Sequence, residues 1–267
     1  MTYLAYGLAP LIGFVMGLMG GGGAILAVPV LLYLLGFSDI DEVTSYVIII
    51  VGIGATAGAI SHARKGNVKL NMAWQITLPI LLATYLTRMY LLDLLPDPLL
   101  QLPAFSLSKR QAILGLLALL LGVSAYLMIR PTQEVWEKKG IPSTNKPWLL
   151  LPLGLFIGLI SGLTGTGGGF MLVPILLLVL RVPMKSAVGT TLAILALKSY
   201  AGMLGDWQAG RTYDLIFLFS FSGLLVLGVA LGSYATHFIP AHKLKRAFGY
   251  FILLLTLLVM VREIGGA

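Results

Sequence analysis

Polar residues in this chain are few and clustered, and between the clusters run long stretches with scarcely a charge. The stretches are continuous rather than alternating, which predicts helices rather than barrel strands. A run of about 20 apolar residues is long enough to cross a bilayer as a helix, and a helix satisfies its own backbone hydrogen bonds in lipid. The pattern predicts one long segment over 4–35, interrupted at Gly20–Gly23, then helices over 43–61, 73–95 and 110–129. After a polar stretch it predicts a second long segment over 148–180, interrupted at Gly165–Gly169, then helices over 186–205, 213–236 and 246–262. Pro79 falls inside a helix and is expected to kink it. Pro96, Pro98 and Pro103 mark a loop that only the first series has.

The two series are copies of one unit. Residues 13–35 match residues 158–180 at a fixed offset of 145, with 11 of 23 positions identical. Five glycine pairs (Gly13/Gly158, Gly17/Gly162, Gly20/Gly165, Gly22/Gly167, Gly23/Gly168) and Pro29/Pro174 are in register, which chance agreement between leucine-rich helices does not produce. The likeness returns more weakly at Lys65-Gly66-Asn67-Val68 against Ala209-Gly210-Arg211-Thr212. The organisation expected is a first membrane repeat over 1–130, a cytoplasmic linker over 131–147 and a second membrane repeat over 148–267.

Composition and charge agree with a membrane chain and orient it. Of 267 residues 58% are apolar and 10% charged, against roughly 25% charged in a soluble domain. There is no cysteine, which removes disulfides and thiol chemistry. The net charge of +8 reflects basic loops, and no basic face or aromatic platform suggests nucleic acid. The pieces of a broken segment reach roughly 20–24 Å each, short of a bilayer core of about 30 Å. If each broken segment returns to its starting side, 12 basic loop residues lie on one side and 4 on the other; if each crosses once, the division is 9 to 7. The rule that cytoplasmic loops are basic selects the first arrangement, which inverts the halves relative to each other and puts both termini outside. Lys109 and Arg110 then stand on the outer, less basic side.

The candidate chemistry is anion binding. The glycines Gly20, Gly21, Gly22 and Gly23, and Gly165, Thr166, Gly167, Gly168 and Gly169, stand just before short helices expected to start near Ala24 and Phe170. Free amides and the helix dipole make such ends attractive to anions, and two of them meeting in mid-membrane resemble a carrier site. Close helix packing is the other reading of the same glycines. Arg88 and Lys198 are cations within apolar spans, where charge is costly and normally faces a cavity. For Arg88, snorkelling to the interface is the alternative. Thr191 and Ser199, with Thr44, Ser45 and Thr190, offer neutral hydrogen bonds to an anion, and hydrogen bonding between helices is the other and, for any single one of them, the commoner use of such residues. His62, His237 and His242 stand at helix ends and are expected at the interface; Asp93, Asp206 and Asp214 are expected near outer ends. No metal, cofactor or enzymatic residue set is indicated.

Gly17-LMGGGGAILAVP-Pro29 and Gly162-LTGTGGGFMLVP-Pro174, with Ala187-VGTTLAI-Ile194, resemble the sulfite exporter TauE/SafE family, also called toluene sulfonate uptake permeases. The resemblance covers nearly the whole chain. It implies a transporter of the bacterial or archaeal inner membrane that moves sulfur-containing anions such as sulfite, thiosulfate, sulfoacetate or other organosulfonates. It leaves a coupling ion, proton or sodium, open, and it implies eight spans, or ten if the broken segments add to the count. An anion channel and a non-transporting scaffold are the rival classes. One departure stands out: where the second half has Gly228 and Gly232, the first half has Ala83, Thr84 and Arg88 in the corresponding stretch, which puts the packing there in question.

Overall fold

The computed structural model describes residues 2–37, 39–96, 98–102, 105–129, 147–165 and 168–264. The linker over 131–147 lies almost wholly outside these residues, as do Thr166 and Gly167.

The chain folds as an all-α polytopic membrane protein. The first half contains α1 (Thr2–Met19), a 3-10 turn at Gly20–Gly22, α2 (Ala24–Pro29, continued by a π-helical turn at Val30–Leu34), α3 (Ile40–Ala63), α4 (Leu70–Leu86, continued by a π-helical turn at Thr87–Leu91 and a last turn at Leu92–Leu94) and α5 (Lys109–Ile129). The second contains α6 (Pro147–Thr164), α7 (Gly169–Leu178), α8 (Met184–Gln208), α9 (Leu215–Ala235) and α10 (Ala241–Ile264). The proline-marked loop forms a small antiparallel ribbon, β1 (Leu100–Leu102) with β2 (Phe105–Leu107). Among the described residues five helices (α3, α5, α8, α9 and α10) are long and apolar enough to cross a bilayer, and α1, α2, α6 and α7 are shorter apolar pieces. Leu78, Leu82, Phe219, Leu227, Leu231 and Leu254 stay exposed on the outside of the bundle, an apolar surface suited to lipid rather than water. Trp74 and Trp207 are exposed near helix ends, as an aromatic belt requires.

The halves pack crosswise. The first helix of each half lies along the third long helix of the other: α1 on α9, and α6 on α4. Small residues permit both contacts. A Cβ on Gly13 would sit 2.0 Å from the Leu225 carbonyl oxygen, and one on Gly232 would sit 2.0 Å from the Phe14 carbonyl oxygen. The departure noted at Ala83 and Thr84 is absorbed from the opposite side. There Gly154, Gly158 and Gly162 of α6 approach Pro79, Ile80 and Thr87, so one helix supplies all the closeness that both supply in the α1–α9 pair.

The remaining pairs are equivalent helices packed on each other, α3 on α8 and α5 on α10. Both run antiparallel. Along α3, Ile48 faces Gly202, Gly52 faces Ser199, Gly58 faces Leu192 and His62 faces Gly189. Along α5, Gly122 faces Thr256 while Met128 and Ile129 face Gly249. Equivalent helices related by an axis along their own length would be parallel; antiparallel ones suit an axis across them.

The breaks repeat each other in detail. Gly20 and Gly165 both have positive φ, +74° and +64°. The first sits against Val188 at the start of α8, the second against Thr44 at the start of α3. Gly23 turns back onto Ile12 and Met16, and Gly168 onto Ile157 and Ser161, the residues 145 further on. Each segment therefore reverses on its own first helix. Beyond the breaks the offset is 144: Gly66 and Gly210 both have positive φ, α3 begins at Ile40 and α8 at Met184.

Candidate functional site

The two breaks meet at the centre of the molecule. A Cβ on Gly21 would lie 2.1 Å from the Gly169 Cα, and one on Gly169 would lie 2.2 Å from the Gly21 Cα. Backbone touches backbone, and only glycine on both sides allows it. Gly22 is filled by the Phe248 ring and Gly23 by α1 itself. In this conformation no ligand fits between Gly21 and Gly169, close packing accounts for Gly21, Gly22, Gly23 and Gly169, and any site at this level would lie beside the breaks.

Such a place exists next to the second break. The Lys198 side chain is fully buried, and its ammonium donates to the Ser161 hydroxyl, which rests against Gly168. No carboxylate pairs with Lys198 among the described residues. The equivalent positions in the first half are Gly54 and Met16, which also touch, but as an apolar contact. The repeat thus carries a cation and a hydroxyl in one half where the other has neither. Thr191 and Ser199 are buried close by along α8, and their hydroxyls have no partner among the described residues.

Arg88 is also fully buried, so snorkelling to the interface does not describe it. Its place on the π-helical turn of α4 aims it across to α3 and α8. Nη1 donates to Thr44 Oγ1 at 3.0 Å, Nη2 donates to Ser45 Oγ at 3.3 Å, and Nη2 pairs with Asp206 Oδ2 at 3.0 Å. Asp206, expected near an outer end, is fully buried as well. Its Oδ1 takes Arg211 Nη1 at 3.1 Å, and its Oδ2 accepts from the Tyr213 hydroxyl at 3.1 Å. Arg211 reaches on to Asp93 at 2.6 Å and to Ser45 Oγ at 3.0 Å. Burial, and then the Asp206 charge, hold the Tyr213 phenol above the ordinary tyrosine range.

Above this network opens a vestibule of about 420 Å³, lined by Asp39, Asp41, Glu42, Ser45, Tyr46, Asp93, Arg211 and Tyr213 among others. Much of its acidic lining is already engaged. Asp39 caps α3, Asp93 holds Arg211, and Asp41 pairs with Lys109 at 2.5 Å. Lys109, expected on the less basic side, is thereby neutralised locally, and Arg110 lies over the Tyr33 ring at 5.7 Å.

At the opposite end of the α3–α8 pair His62 occupies the position equivalent to Asp206. It is fully buried in the last turn of α3, and its Nε2 is 3.2 Å from the Gly17 carbonyl oxygen. Thr236 Oγ1 donates to the same oxygen at 3.4 Å, and Lys65 Nζ donates to the Ser233 carbonyl at 2.9 Å. His237 and His242 are exposed.

The sequence model of the family described as Sulfite exporter TauE/SafE matches residues 5–259. A protein of Xylella fastidiosa (strain Temecula1) named "Probable membrane transporter protein" is 29% identical over 259 residues, covering 95% of this chain and 92% of its own. One of the same name from Haemophilus influenzae is 28% identical over 267 residues, covering 92% and 93%. An archaeal relative, from Methanocaldococcus jannaschii, is 22% identical over 216 residues. No solved structure matches the chain.

Proposed function

The chain belongs to the sulfite exporter TauE/SafE family and is a membrane transporter, and from that premise we propose that it is a secondary carrier of a small sulfur-containing anion bound at Lys198. Sulfite, thiosulfate, sulfoacetate and other organosulfonates form the substrate class. The observation that carries this reading is the Lys198 ammonium, fully buried with one serine hydroxyl as its partner. A cation in the middle of a membrane is expensive unless something supplies the counter-charge. A bound anion supplies it, with the unpartnered hydroxyls of Thr191 and Ser199 and the unpartnered Nε of Arg88 as further donors. The glycines beside the site give the backbone its reversals and let the two breaks slide or part as the site opens.

Antiparallel packing of the equivalent helices supports an inverted repeat, whose rocking exposes a central site to each side in turn. Basic-loop asymmetry supports an inner-membrane protein with both termini on the periplasmic side.

The test is Lys198→Met in purified protein reconstituted into liposomes. Losing a charge-assisted hydrogen bond to a desolvated anion costs about 1.5–3 kcal/mol, or one to two decades in affinity for sulfite or sulfoacetate. Folding survives, because the change removes a burial cost. A folded Lys198→Met protein with unaltered anion affinity and transport contradicts the reading.

A further inference from the structure

Among the described residues Asp206 is the one carboxylate at the centre of the buried cluster, and the proposed site does not use it. Both of its oxygens are engaged, one by Arg211 at 3.1 Å and the other by Arg88 at 3.0 Å and the Tyr213 hydroxyl at 3.1 Å. Ser45 Oγ accepts from both guanidiniums and also lines the vestibule. The network is therefore the vestibule floor. Below it along α8, Lys198 lies eight residues away, about 12 Å at the rise of an α-helix. Between the two, Gly202 and Gly205 bring α8 close to Ile48, Tyr85 and Arg88, which seals the remaining space.

We infer that Asp206 is a resident counter-ion that closes the vestibule over Lys198, and that an anion arriving from the vestibule passes by taking over a guanidinium that Asp206 now holds. The inference rests on the anion site at Lys198 proposed above. Sulfonate and sulfite oxygens accept from guanidinium N–H groups as a carboxylate does, so they compete for the same donors. The exchange strands no charge: when Arg88 or Arg211 turns to the anion, Asp206 keeps the other guanidinium and the Tyr213 hydroxyl. A neutral molecule or a cation offers the guanidiniums nothing in return, and opening the floor for it would leave buried charges bare. The network is thus a filter for anions as well as a lid. Asp206 is a positioning residue in this scheme and never meets the substrate.

The chain has no cysteine, so a single reporter can be placed below the floor. Ser199→Cys, a near-isosteric change at a buried hydroxyl, is labelled in proteoliposomes with a membrane-impermeant maleimide from the vestibule side. With Asp206 intact the thiol is protected. With Asp206→Asn added, labelling accelerates by about ten- to a hundredfold, the worth of one charge-assisted contact. In the same Asp206→Asn background, without the reporter, sulfoacetate binds more tightly than to the wild type, because its internal competitor is gone. A purely structural role for Asp206 predicts equal or weaker binding. Unchanged labelling, or sulfoacetate affinity that fails to rise, in a folded Asp206→Asn protein overturns the inference. If Asp206→Asn does not fold, Tyr213→Phe removes one donor and leaves both ion pairs; labelling then rises by about two- to tenfold, and no rise overturns the inference. The site reading fails separately, through Lys198→Met: a floor that opens in Asp206→Asn while Lys198→Met leaves sulfoacetate affinity intact keeps the lid and refutes the site.

Discussion

Lys198 of α8 and Gly54 of α3 are equivalent residues on two antiparallel helices, and each faces the equivalent of the other's neighbour: Lys198 the Ser161 hydroxyl, Gly54 the Met16 thioether. One geometry is built twice, and only one copy carries charge. Ser161 is then the residue that orients the ammonium, and its effect is separable from that of the charge. Ser161→Ala is expected to weaken sulfite or sulfoacetate binding by about two- to tenfold, the range of one neutral hydrogen bond. Calorimetric titration against both anions checks this. A loss as large as that of Lys198→Met would mean that Ser161, rather than the ammonium, dominates the site.

The contact between the breaks makes a second prediction. Gly21→Ala and Gly169→Ala each push a methyl group into the facing backbone. Each is expected to destabilise the protein by about 1–3 kcal/mol or more, as overpacking does. Gly115→Ala on α5, where nothing lies within 4 Å of the new methyl, is the control and is expected to be neutral or stabilising by up to about 1 kcal/mol. Thermal unfolding in detergent, followed by tryptophan fluorescence, ranks the three. Equal behaviour of Gly21→Ala and Gly115→Ala would show that the breaks do not touch.

A third prediction concerns topology. Glu42, at the vestibule, and Lys185, at the start of α8, stand in equivalent turns of the two halves. In an inverted repeat Glu42→Cys and Lys185→Cys label from opposite faces of oriented vesicles, Glu42→Cys from the periplasmic one. Labelling from the same face would leave the halves parallel and remove the basis for alternate exposure of the site.

The fourth concerns Lys109, which the loop-charge count expects on the less basic side. Its ammonium is nearly buried, held by Asp41 at 2.5 Å and the Leu92 carbonyl at 2.6 Å. Asp41→Asn leaves a charge with too little compensation and is expected to cost about 1–3 kcal/mol. The unfolding midpoint measures it, and an unchanged midpoint would mean that the remaining contacts of Lys109 suffice.

The sequence made the helices, the duplication and the two breaks readable, because apolar length and glycine register are local properties. Observed helices extend a few residues beyond the expected ones, as at α3, 40–63 against 43–61, and α10, 241–264 against 246–262, because polar first and last turns dilute the apolar signal. Arg88 and Lys198 stood out for the same reason: a lone charge in an apolar run is conspicuous. Asp206 and His62 did not, since each sits near the end of a span, where a polar residue is ordinary. What buries them is partnership across helices, Asp206 with α4 and the turn after α8, His62 with α1, and spacing along one chain does not encode that. The glycines show the converse. Their pattern marked the place, while only the facing backbone at Gly21 and Gly169 shows how fully packing uses them. A repeat-wise comparison of His62 with Asp206, and of Gly54 with Lys198, would have singled out the charged copies, provided that the one-residue shift in offset between the breaks and the next helices was noticed.

The pairing of His62 with Asp206 bears on energetics rather than architecture. In a carrier built from two identical halves the two end states would have the same free energy, and neither face would be favoured at rest. Here one end is tied by ion pairs among Arg88, Asp206 and Arg211, the other by hydrogen bonds to the Gly17 and Ser233 carbonyls. Unequal ties give the empty protein a preferred face. Because one tie is ionic and partly open to the vestibule through Asp93, that preference is expected to answer to salt; in the carrier proposed above it would change how fast the empty protein resets, while the electrochemical gradient of the anion alone sets the direction of net flux.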